Sequence, residues 1–78
     1  MATPRPNAQE DLPVGHLHAR LRQLSAEYQA DRSTSKSHIY WSRPTQRWLR
    51  VVRPNAETCR VEYWVECPCA FLEVLEAG

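Results

Sequence analysis

Residues 38–66 read HIYWSRPTQRWLRVVRPNAETCRVEYWVE, and this stretch decides the fold. Apolar and polar residues alternate in short runs rich in β-branched and aromatic side chains, broken at Pro44 and Pro54, so the segment predicts a β-meander. Setting 47–53 antiparallel to 59–65 places Trp48 opposite Trp64, Arg50 opposite Glu62 and Val52 opposite Arg60. The other face then pairs Leu49 with Tyr63 and Val51 with Val61. Ile39, Trp41 and Val65 are expected to join that second, more aliphatic face. If the first turn closes over 43–45, Tyr40 lies opposite Trp48 with His38 beside it. Both faces carry apolar residues, and a single helix can cover only one of them.

The rest of the chain supplies one helix. Asp11 is a capping residue and Pro13 falls in the first turn, where a missing N–H is harmless. Val14, Leu17, Leu21, Leu24 and Tyr28 recur at helical spacing, which predicts an amphipathic helix of about four to five turns. Its stripe matches the aliphatic sheet face best. Residues 1–10, with Pro4 and Pro6 and no large apolar residue after Met1, read as a flexible N-terminal arm, leaving 11–78 as one domain. Residues 32–37 are a polar linker. Pro68 ends the third strand. Residues 70–76 read as an edge strand through alternating Leu72, Glu73 and Val74, with a short helix ending at Gly78 as the other reading. The expected class is α+β: one N-terminal helix on a three- to four-stranded antiparallel sheet.

Composition sets outer bounds. Seventy-eight residues make a single small domain, near the lower limit for a self-sufficient core. No apolar run approaches the ~20 residues of a membrane span, and the N-terminus lacks the apolar core of a secretory signal. No membrane association and a cytoplasmic location are expected. Net charge is +1, but unevenly spread. Residues 32–60 hold seven basic residues against Glu57, whereas 61–78 hold four acids and no base. That bipolar pattern suits a partner of mixed charge, such as a protein, at least as well as nucleic acid.

The face bearing Tyr40, Trp48 and Trp64, with Arg50 beside them and Arg43, Arg47 and Arg60 around them, is the candidate partner-binding surface. Trp, Tyr and Arg are the types most enriched at interface hot spots. They also suit base stacking, so a small nucleic-acid-binding module using this Arg/Trp face is the alternative reading. Catalysis is not expected: there is no nucleophile elbow, phosphate-cradling glycine loop or His-Glu-x-x-His. No cofactor is expected. Cys59, Cys67 and Cys69 lack paired metal-ligand spacing, so no metal site is expected either. Cys67 or Cys69 could crosslink two chains when oxidised. The surplus sheet face further suggests a homodimer.

The hairpin YWSRPTQRWLRVV, residues 40–52, resembles the first two strands of AP2-type DNA-binding domains, although it lacks that family's glycines and its helix precedes the sheet. The whole chain resembles the small anti-CRISPR proteins of phages and mobile elements, in particular type I-C inhibitors, in size, mixed charge and spare interface surface. That resemblance implies a non-enzymatic inhibitor acting in a bacterial host. It would bind a CRISPR-Cas effector complex or its nuclease and block target-DNA recruitment or cleavage by occlusion.

Overall fold

The computed structural model describes residues 4–24 and 27–77. The start of the expected arm (1–3), positions 25 and 26 of the expected helix, and Gly78 lie outside the described residues. The fold is α+β. Strand β1 (Ala8–Pro13) leads into helix α1 (Val14–Leu24), then β2 (Gln29–Ser33), β3 (His38–Ser42), β4 (Arg47–Val52) and β5 (Thr58–Trp64). A 3-10 turn (Pro68–Phe71) runs into a short helix α2 (Leu72–Glu76). The sheet is five-stranded, antiparallel and open, in the order β1-β5-β4-β3-β2. Helix α1 therefore connects one margin of the sheet to the other. Among the described residues, no helix is long and apolar enough to cross a membrane.

The central pairing follows the expected register, with Trp48 opposite Trp64, Arg50 opposite Glu62 and Val51 opposite Val61. The first hairpin is displaced by one residue. Its turn spans 43–46, not 43–45, and Trp41 instead of Tyr40 faces Trp48. Gln46 makes the longer turn possible by adopting φ 54°, the left-handed conformation that glycine would take more cheaply. Ser42 steadies it: Thr45 Oγ1 donates to Ser42 Oγ at 2.8 Å. Because side chains alternate across a strand, this shift moves every residue of β3 to the opposite face. Ile39 and Trp41 leave the helix face, and His38 and Tyr40 join it.

The helix face is otherwise as expected. Leu49, Val51 and Val61 form its buried centre, with Leu17, Leu21, Leu24, Tyr28, Tyr40 and Tyr63 packed on it. Burial of this stripe is what orders so short a helix, since eleven residues are marginal alone. The helix starts later than expected because 8–13 forms an edge strand, so of the described residues of the expected arm only 4–7 remain outside regular structure. Asp11, expected to cap the helix, instead holds Arg60 of β5 at 2.8 Å. Asn7 and Glu10 hold the same margin: Val65 N–H donates to Asn7 Oδ1 at 2.9 Å, and Tyr63 OH donates to Glu10 Oε2 at 2.7 Å. Burial and that bond together push the Tyr63 phenol up to about 12.

The opposite face has a cover too. The C-terminal segment expected as an edge strand turns back across it as the 3-10 turn and α2. Phe71 stacks on Trp64 at 6.2 Å, and Leu72 is buried. Ile39, moved here by the register shift, is 1% exposed. Alternation of Leu72, Glu73 and Val74 suggested a strand. Pro68 fixes φ at the start of a turn instead, and the unsatisfied sheet face rewards the amphipathic turn that follows.

Candidate functional site

All three tryptophans lie in one row across β3, β4 and β5, through the pairs Trp41–Trp48 and Trp48–Trp64. The row divides by burial. Trp64 is 3% exposed under Phe71, whereas Trp41 and Trp48 are half-buried and stack on each other at 5.6 Å with a 27° interplanar angle. Cross-strand aromatic pairs lock a register, and here the two open rings also present an amphipathic surface at the turn end of the sheet. Arg43, exposed, sits in the turn joining the two strands. Arg47 is exposed at the first residue of β4 but points from the other side of that strand, lining a recess of about 260 Å³ with Tyr28, Tyr63 and Trp64. Neither arginine makes an ion pair among the described residues.

The remaining expected surface residues are placed elsewhere. Arg50 and Glu62 are each 6% exposed and form a salt bridge at 2.9 Å. Arg50 Nε–H also donates to Ser37 Oγ at 3.0 Å, and Trp64 Nε1–H donates to the same Glu62 oxygen at 3.1 Å. Among the described residues, no buried side-chain polar atom lacks a partner. Arg50, Glu62 and Trp64 are thus interior structure beneath the C-terminal segment, not a solvent face. Tyr40 lies on the helix face. Arg60 sits at the far end of β5, paired with Asp11. The structure brings together Trp48, Arg43 and, less closely, Arg47, and it adds Trp41. Sequence reading misplaced Trp41 because it closed the first turn over 43–45, one residue short of the observed 43–46. The open Trp–Trp pair was in principle legible from the longer turn.

Glu76 closes the C-terminal segment onto the sheet. Its Oε2 accepts from Thr34 Oγ1 and Ser37 Oγ, both at 2.6 Å, while Lys36 Nζ donates to its backbone carbonyl at 2.8 Å. The hydroxyl of Ser37, then that of Thr34, hold the carboxyl below the usual glutamate range, helped by the charges of Arg50 and Lys36. A carboxylate whose folded-state pKa is depressed stabilises the fold above its unfolded value, and that stability is lost as pH falls through the folded value. The melting temperature should therefore fall as the solution is acidified below the ordinary carboxylate range. Glu76→Gln should lower it at neutral pH and reduce the acid-dependent loss. An unchanged pH profile in that variant would mean that the clasp contributes nothing.

The cysteines divide as well. Cys59 is buried, whereas Cys67 and Cys69 are half-buried free thiols flanking Pro68. Burial, then a hydrogen bond with Cys67, push the Cys69 thiol up to about 11. Among the described residues, no group of three or more His, Cys, Asp or Glu side chains could hold a metal ion. No family model, curated protein or solved structure matches the chain.

Proposed function

We propose that this chain is a non-enzymatic inhibitor that docks on a protein partner. On the anti-CRISPR resemblance, that partner is a CRISPR-Cas effector complex or its nuclease, and target-DNA recruitment or cleavage is blocked by occlusion. The observation that carries the docking reading is the open Trp41–Trp48 stack with Arg43 beside it. Two preorganised indoles lose little entropy on binding and present the side-chain types that dominate interface energetics. The charge division between 32–60 and 61–78 favours a partner of mixed charge.

The direct test is affinity capture of the effector complex from a host lysate, followed by a cleavage assay. Trp48→Ala with Arg43→Glu should weaken capture by about 2 kcal/mol or more, roughly thirtyfold, while circular dichroism stays unchanged. A folded variant that still captures and inhibits at the parent level would exclude this surface. If retention instead collapses steeply as salt rises and tracks nucleic acid, the nucleic-acid-binding reading replaces this one.

The proposal includes a homodimer crosslinked through Cys67 or Cys69. Because the Cys69 thiol is pushed up, little Cys69 thiolate is present at neutral pH, and air oxidation at that sulfur should be slow. A thiol oxidant such as diamide should convert the chain to a reductant-sensitive dimer on a gel, and Cys67→Ser/Cys69→Ser should abolish that band. A monomer that persists under oxidant would remove the crosslink from the proposal.

A further inference from the structure

The face opposite α1 is only half covered. The C-terminal segment leaves a groove of about 820 Å³ over the β4–β5 side, walled by Leu75 and Glu76 on one flank and by Pro4 and Pro6 on another. Its floor and rim carry Lys36, Arg50, Arg53, Arg60, Glu62 and Glu76 among other residues. The charges are unequal in availability. Glu62 is paired with Arg50, whereas Glu76 keeps its charge, bound by the neutral hydroxyls of Thr34 and Ser37 and facing Lys36. Arg60 gives its Nε–H to Asp11. Among the described residues, Lys36 and Arg53 donate to backbone carbonyls, of Glu76 and Ala56, at 2.8 and 3.2 Å, and the charge of Lys36 also acts on the Glu76 carboxylate. A carbonyl satisfies a donor without neutralising its charge. The groove therefore carries four cations against two acids, with Lys36 and Arg53 exposed at its rim.

Its walls are apolar, with Val52, Pro54 and Leu75 between the cations. The stacked tryptophans lie at the other end of the strands, and among the described residues no Trp, Tyr or Phe lines the groove to receive a base; His38 lines it with its Nδ1 held by Ser33 Oγ at 2.9 Å. One end of the cleft already holds a carboxylate, that of Glu76, on two hydroxyl donors. We infer that this groove is a second binding site, for an extended acidic peptide segment whose carboxylates meet Lys36 and Arg53 and whose aliphatic residues lie against Val52 and Leu75. The site is separate from the tryptophan surface, and neither reading requires the other.

The test is fluorescence anisotropy with three labelled probes: a short peptide alternating Glu with Leu, the same peptide with Lys for Glu, and a single-stranded oligonucleotide. The acidic peptide should bind, the lysine peptide should not, and added salt should weaken the complex. Lys36→Glu/Arg53→Glu should lower affinity about tenfold or more. Because Lys36 also belongs to the Glu76 clasp, Arg53→Glu alone, at an exposed site with the parent's circular dichroism and melting temperature, should weaken the acidic peptide too. Trp48→Ala should leave this binding unchanged, which separates failure here from failure of the docking surface. No binding of the acidic peptide, tighter binding of the oligonucleotide, or indifference to the double charge reversal would each overturn the inference.

Discussion

Replacing Arg50 with alanine should destabilise the protein by about 3–5 kcal/mol, enough to unfold most of a domain this small. Among the described residues the guanidinium is the only cation paired with Glu62, and both groups are 6% exposed. Without it a buried carboxylate keeps a single neutral donor, the Trp64 indole, and Ser37 loses the Arg50 Nε–H that its hydroxyl accepts. Stranding a buried charge costs far more than the pair itself contributes. The cost should be reversible by chemistry as well as by restoration. Arg50→Met combined with Glu62→Leu removes both charges, and this double variant should recover most of the loss in urea denaturation. If Arg50→Ala melts within a few degrees of the parent, the pair is not buried in solution and the C-terminal cover is open.

Ending the chain after Glu66 should abolish cooperative folding, or leave a species that binds hydrophobic dye and lacks a sharp melting transition. Truncation removes Leu72, which is buried, and Phe71, which is half-buried over Trp64; full burial of such a side chain is worth about 1.5–3 kcal/mol. It also removes the Glu76 clasp and exposes Ile39, Trp64 and the Arg50–Glu62 pair to water. The milder Phe71→Ala should cost about 2 kcal/mol, since the half-buried ring stacks on Trp64. A truncated chain with parental melting temperature would show that the segment is an ornament of the sheet.

The β4–β5 hairpin was legible because its information is local. Two strands of alternating character, separated by a five-residue loop, admit one register that pairs Trp48 with Trp64 and Arg50 with Glu62. The helix stripe was legible for the same reason. Strands β1 and β2 were not, because AQEDLP and QADRS contain no β-branched apolar residue and no alternation. Asn7, Glu10 and Asp11 hold β1 through partners on β5 far along the chain, and nothing in a window of sequence announces such bonds. The candidate surface was half legible. Trp48 and Arg43 were placed where they lie. Tyr40 was misplaced by one turn residue, and Arg50 and Trp64 by the expectation that no second element would cover them.

The polar character of the outer strands has a consequence for life in a crowded solution. An open sheet ends in two rows of unpaired backbone groups, which are templates for stacking one molecule on the next. Here the β2 margin is exposed along its whole length, carries Asp31 and Arg32, and breaks register at a bulge between Ala30 and Arg32. The β1 margin carries Glu10 and Asp11 and ends at Pro13, which has no N–H to offer. Each border is short, charged and irregular, so a neighbouring chain finds no continuous ladder to extend. The residues that hid these strands from sequence reading are the ones that keep the sheet from growing into a fibre.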